Sequence, residues 1–221
     1  MPIVEELKRI VERVTGIGRP RAAEVDRLTR PRSPEVLRLR EGAGTPNNPR
    51  LPLLVYRDAV AFADGLDPAA VLEDVFARHG WVGAWRDGVY DYLHFHTGTH
   101  EVLGIARGRV TVQVGGTAGP KVVLRLGDVA VLPAGTAHCR VRASRDLLVV
   151  GAYPADGRYD EPTPGAMLMA DARRAVARVP RPRQDPVYGR DGPLTTLWKP
   201  VLSPRQRQVA RARRAAASAR A

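Results

Sequence analysis

The chain has 221 residues, 44% hydrophobic and 26% charged, which suits one substantial core or at most two small ones. No apolar run approaches the ~18 residues of a membrane span, charges interrupt the apolar pairs of the N-terminus so that no secretory segment is legible, and the single Cys139 excludes an internal disulfide; a cytoplasmic address is expected. The net charge of +12 sits at the two ends, with six arginines in residues 201–221, so a near-neutral body and the lack of any nucleic-acid-binding motif argue against a specific nucleic-acid partner.

In chain order, Ile3, Val4, Leu7, Ile10, Val11 and Val14 recur at helical spacing among Glu, Lys and Arg, which predicts an amphipathic helix over 3–14. Residues 15–34, rich in Arg, Pro and Gly, read as a linker, and "TPNNPRLPLLVY" as an extended arm. A second helix is expected at "LDPAAVLEDVFARHG". Asp67 is suited to cap it, Pro68 to open it and Gly80 to end it, with Val71, Leu72, Val75 and Phe76 on one stripe and His79 as a surface residue of the last turn.

From Trp81 to about Tyr153 the pattern turns to short β segments separated by Gly, Pro and Asp: "VYDYLHFH", "EVLGIA", "RVTVQV", "KVVLRL", "VAVLPA", "HCRVRA" and "DLLVVGAY". Such spacing predicts an all-β sandwich or barrel. A further helix is expected at roughly 166–177, then a Pro-rich stretch and a basic, non-periodic tail.

Three of the five histidines fall within "HFHTGTHE", residues 94–101. Strand alternation puts His94 and His96 on one face, and a turn through Thr97-Gly98-Thr99 returns Glu101 to the same point. Downstream, "GDVAVLPAGTAHC" brings a Pro-x-Gly turn and His138. Imidazoles and a carboxylate in this pattern suggest a divalent-metal site.

These residues resemble the two signatures of the cupin superfamily. The first, G-x5-H-x-H-x4-E-x6-G, is met by Gly88, His94, His96, Glu101 and Gly108; the second, G-x5-P-x-G-x2-H, by Gly127, Pro133, Gly135 and His138. The Asn that usually follows four places on is Arg142 here. "PNNPRLPLLVYR", "VVGAYP" and "DPVYG…GPL…W" extend the likeness, from about Val36 to Trp198, to an uncharacterised subgroup of bacterial single-domain cupins.

The resemblance implies a cupin fold (a double-stranded β-helix, or jelly-roll barrel) with short flanking helices. It divides the chain into an N-terminal extension (1–35), a cupin domain with its arm and C-terminal strap (36–200), and a basic tail (201–221). It implies His94, His96, Glu101 and His138 as ligands of one divalent ion, with Mn, Fe, Ni, Co, Cu and Zn all compatible, and a homodimer, because related barrels pair.

An unbroken strand through His94 would share its inward face with Tyr90 and Tyr92, and with Arg86 unless Gly88 bulges; parity with His138 selects Arg140 and Arg142. Tyr90, Tyr92 and Arg140 are therefore the candidate catalytic groups, suited to a small polar or anionic substrate. His100 should face away from the metal, at the rim or behind the ligands, and Cys139 is expected to be a small apolar filler. Two functions fit: a metal-dependent enzyme of oxygenase, isomerase or lyase type, or a non-catalytic barrel that binds or senses a small molecule.

Overall fold

The computed structural model describes residues 2–199. The basic tail lies outside the described residues. The chain opens with helices α1 (Pro2–Thr15) and α2 (Ala22–Leu28), then strands β1 (Glu35–Leu37) and β2 (Leu53–Tyr56) and helix α3 (Pro68–Arg78). Strands β3 (Trp81–Asp87), β4 (Glu101–Arg107), β5 (Arg109–Val114), β6 (Lys121–Arg125), β7 (Val129–Leu132), β8 (His138–Ala143) and β9 (Leu148–Pro154) follow, and helices α4 (Met169–Arg178) and α5 (Pro193–Leu197) close the described chain.

The strands form two antiparallel sheets: six strands ordered β1-β2-β7-β4-β9-β3, and three ordered β6-β5-β8. One core fills the space between the sheets, built from Leu53, Val55, Leu103, Ile105, Val112 and Leu124. A second core lies on the outer face of the large sheet, where Val71, Leu72, Val75 and Phe76 of α3 pack on Leu54, Val102, Val131 and Val150. The large sheet is thus covered on both faces, which explains why β2, β4 and β7 read as continuous apolar runs. In β6 every second residue is exposed, because the small sheet meets solvent on one side.

Helix α3 follows its sequence signals. Asp67 accepts from the Ala70 backbone N–H, Pro68 opens the helix, and Gly80 beyond it takes φ +76°. His79 is half-buried rather than on the surface, and its Nδ1–H donates to the Pro186 carbonyl at 2.9 Å, tying the helix to the C-terminal strap. Gly104 of β4 is required by packing, since a Cβ there would meet Leu72 and Phe76 side chains at 2.8 and 2.9 Å.

Several expectations are corrected. The stretch read as linker contains α2, whose Val25 and Leu28 are buried. "VYDYLHFH" is not a regular strand: β3 ends at Asp87, and the histidine segment contains only an isolated β-bridge, between His94 and His138. The bulge lies between Val82 and Trp85, at Gly83 with φ +65°, not at Gly88.

Helix α1 carries a less expected feature. Its apolar residues face outward, while Glu5, Lys8, Arg9 and Glu12 dock on the barrel. Arg86, 6% exposed, is the centre of that contact and pairs with Glu12, Asp67 and Glu73 at 2.7, 2.9 and 3.0 Å. It therefore points away from the histidine cluster.

Candidate metal centre

The histidines meet at one end of the barrel, between the two sheets. Glu101 opens β4 of the large sheet and His138 opens β8 of the small one. The backbones of His94 and His138 exchange hydrogen bonds of 3.2 and 2.9 Å, so the candidate most distant in sequence is placed by direct pairing with the first. The turn of the second signature is pinned likewise. Gly135, at φ +89°, donates its N–H to the His96 carbonyl at 2.7 Å, and a Cβ there would strike the Asn47 backbone.

One donor nitrogen from each of His94, His96 and His138 lies within 4.8 Å of the others, and all three residues are buried. Glu101, 3% exposed, approaches from the fourth side, its Oε2 standing 3.4 Å from His96 Nε2 and 3.3 Å from His138 Nε2. Donors bound at about 2.1 Å in a tetrahedral or octahedral shell are about 3.0–3.4 Å apart, so these edges suit a first-row divalent ion.

The outer nitrogens fix the tautomers. His94 Nδ1 faces the Tyr92 carbonyl at 3.2 Å, His138 Nδ1 faces the Thr136 carbonyl at 3.0 Å, and His96 Nδ1 faces the Asp160 carbonyl. A carbonyl can only accept, so each Nδ1 carries hydrogen and each Nε2 is turned to the common point. His96 Nε2 and Glu101 Oε2 are buried without any hydrogen-bond partner. Orphaned buried polar atoms are costly, and a cation between them would satisfy both. The residues fit a metal.

The electrostatics agree. Burial lowers His94 to about 4, assisted by repulsion from His138. For His96 burial also works downward, but attraction to Glu101 outweighs it and raises the ring to about 9. Burial would raise Glu101, yet His96 and His138 hold it well below the usual carboxylate range.

A pocket of about 280 Å³ opens beside these groups, lined by Trp85, Tyr90, Tyr153 and Tyr159 among others. Trp85 donates its indole N–H to the Tyr153 hydroxyl at 2.9 Å. Gly151 makes that contact possible, because a Cβ there would lie 2.1 Å from the Trp85 ring. Tyr159 lies 5.1 Å from His96 between ring centres and 5.3 Å from Tyr153. Burial is the largest cause raising the Tyr90, Tyr153 and Tyr159 hydroxyls, helped by nearby carboxylates, so all three are neutral donors at neutral pH.

Of the sequence candidates, Tyr90 lines the pocket. Tyr92 stacks on it at 4.9 Å and donates its hydroxyl to Glu161 outside the pocket wall. Arg140 does not reach the pocket: its half-exposed guanidinium meets Asp91 at 3.3 Å, and Arg142 is exposed. Among the described residues no Lys or Arg lines the cavity, which removes the basis for an anion-binding guanidinium. His100 is not at the rim but 1% exposed, accepting from the Ala134 N–H at 2.9 Å and donating to the Pro180 carbonyl at 3.2 Å, with Trp198 against its ring. Cys139 is half-buried, and burial raises its thiol.

Sequence reasoning missed the segment after β9. Asp160 accepts from the Thr97 and Gly98 N–H groups at 2.8 and 2.9 Å and also from the Thr97 hydroxyl, holding the turn between His96 and Glu101. Glu161 accepts from both Tyr92 and Tyr159. The signal was the string "DGRYDEP", in which a tyrosine and two acids follow a turn at the end of the last strand.

Two antiparallel sheets with both signatures converging at one mouth define a cupin. The chain is 35% identical over 153 residues to the uncharacterised protein YjlB of Bacillus subtilis (strain 168), a match covering 69% of this chain and 89% of YjlB. It belongs to the family of YjlB. No known family profile matches the chain. Among solved structures, acireductone dioxygenase from Bacillus anthracis is 21% identical with a TM-score of 0.31, covering 43% of this chain and 68% of that one. Oxalate decarboxylase from Bacillus subtilis is 18% identical with a TM-score of 0.29, covering 51% of this chain and 22% of the other. The chain thus spans about a fifth of the decarboxylase.

Proposed function

We propose that His94, His96, Glu101 and His138 hold one divalent ion and that the protein is a metal-dependent enzyme acting on a small polar organic molecule, of oxygenase, isomerase or lyase type. The observation that carries this is the convergence of three Nε2 atoms and the orphaned Glu101 Oε2 beside a phenol-lined pocket. Three neutral imidazoles and one carboxylate leave a divalent ion with net positive charge and open positions, which supplies Lewis-acid or redox chemistry to a bound substrate. The donor set suits Mn, Fe, Co, Ni, Cu or Zn alike.

The chain's own residues would do the rest. Tyr90 and Tyr153, neutral and facing one cavity, donate hydrogen bonds to substrate oxygens, while Tyr159, whose hydroxyl proton is given to Glu161, can only accept one. Trp85 fixes the Tyr153 hydroxyl and supplies an apolar wall. Any negative charge on the substrate would be met by the ion, since no guanidinium lines the cavity among the described residues. We also propose a homodimer as the assembly.

The test is elemental analysis of the purified protein, followed by a panel of small acids, sugars and polyols with metal-loaded and chelated protein, measuring both binding and turnover. One bound ion per chain and metal-dependent turnover of any member supports the enzyme. Tight metal-dependent binding with no turnover across the panel would instead make it a small-molecule sensor, and a metal-free protein that cannot be loaded would end the reading.

A further inference from the structure

Helix α1 has two distinct faces. Glu5, Lys8, Arg9 and Glu12 are committed to the barrel through Arg107, Asp67, Glu73 and Arg86. On the other side Ile3, Leu7, Ile10, Val14 and, just past the helix, Ile17 recur in alternating steps of four and three, flanked by Val4 and Val11. All seven are 49–83% exposed. Single exposed aliphatics are ordinary, but a continuous stripe marks an interaction surface. A groove of about 760 Å³ beside Val4, Leu7, Val11 and Leu66 extends it.

Steps of four and three form the seam of a coiled coil. The flanking charges choose the partner and its direction. Glu6 and Arg13 sit one heptad apart on the same edge of the seam. Among the described residues Arg13 has no ion-pair partner, and Glu6 contacts only Arg9 of its own helix, at 3.3 Å. If a second α1 lies antiparallel, Ile3 faces Val14, Leu7 faces Ile10, Val4 faces Val11, and Glu6 of each copy faces Arg13 of the other. A parallel pair would set Glu6 against Val11.

We infer that α1 docks antiparallel on α1 of a second copy of this chain, through a two-fold seam closed by two Glu6–Arg13 pairs. A lipid surface fits less well, because the helix balances three acids with three bases, lacks aromatic residues, and turns its polar face into its own barrel. The inference goes beyond the proposed chemistry and is independent of the metal.

The test is sedimentation velocity of the full chain over a wide concentration range. Circular dichroism checks the fold, and neutral and anionic phospholipid vesicles are run in parallel. The wild type is expected to dimerise; Leu7→Glu with Ile10→Glu should give monomer. Glu6→Arg alone should weaken the dimer at least tenfold, and Glu6→Arg with Arg13→Glu should restore it. A wild type that remains monomeric, a dimer indifferent to these changes, a double reversal that fails to rescue, or vesicle binding abolished by Ile10→Glu in a monomeric protein would each overturn it.

Discussion

The sharpest test of the metal centre is a count of protons. Without an ion, attraction to Glu101 outweighs burial and raises His96 to about 9, so at pH 7 the ring carries a second proton, on the Nε2 that stands 3.4 Å from Glu101 Oε2. That proton occupies the nitrogen a metal requires, and it must leave on binding. Apparent affinity should therefore rise about tenfold per pH unit between pH 7 and 8, and proton competition should weaken it about a hundredfold at pH 7. The sign for stability is opposite. A folded value raised above the unfolded 6.5 stabilises the metal-free fold fully below pH 6.5, and that contribution, about 3 kcal/mol in order of magnitude, is lost as pH rises through about 9. Calorimetric titration with Zn²⁺ or Mn²⁺ at pH 7.5, in buffers of different ionisation enthalpy, should count close to one proton released per ion. Glu101→Gln removes the attraction that raises His96, so burial prevails, the release falls toward zero and the pH slope flattens. Wild-type release near zero, or release unchanged in Glu101→Gln, would refute the coupling.

The remaining predictions concern the groups that support the centre. Asp160→Ala should weaken metal binding about 10–100-fold while leaving the ligands in place, because Asp160 holds the Thr97–Gly98 turn between them; competition with a chelator measures it. Arg86→Met strips the shared partner from Glu12, Asp67 and Glu73 and should cost about 3–5 kcal/mol in urea unfolding, with α1 amides losing protection against hydrogen exchange first. His100 is lowered to about 3 by burial, so its contribution is complete above pH 6.5 and is lost as pH falls toward 3. His100→Gln, which can keep an acceptor and a donor, should remove one proton's worth of the pH dependence of unfolding below 6.5.

The proposed ligand set was legible because a metal site constrains residue types and intervals locally: His94 and His96 stand two residues apart, and Glu101 returns across one turn. His138 was legible because the Pro133–Gly135 turn demands its own residues. The pocket wall was not, for two physical reasons. Parity arguments need an unbroken strand, and the segment from Gly88 to His100 holds only an isolated β-bridge, so Tyr92 lost the orientation that alternation gave it, while Arg140, on β8 with His138, turns its long side chain out to Asp91. Tyr159, Asp160 and Glu161 come from a loop, where no period exists to announce a face.

Helix α1 shows where periodicity can mislead. The 3.6-residue pattern identifies an amphipathic helix, but which face is inward depends on what the rest of the fold offers. Here the barrel offers Arg86 and Arg107 beside Asp67 and Glu73, a charged surface that accepts Glu5, Lys8, Arg9 and Glu12. Once that mixed-charge face is taken, the seam of Ile3, Leu7, Ile10 and Val14 has no site left on its own barrel. A stripe so exposed would be a liability in a monomer, and its Glu6 and Arg13 edge is self-complementary only under a two-fold axis. The same arginine therefore links two levels of the structure: Arg86 turns the charged face of α1 inward, and in doing so leaves the apolar face outward, open to the second chain we propose.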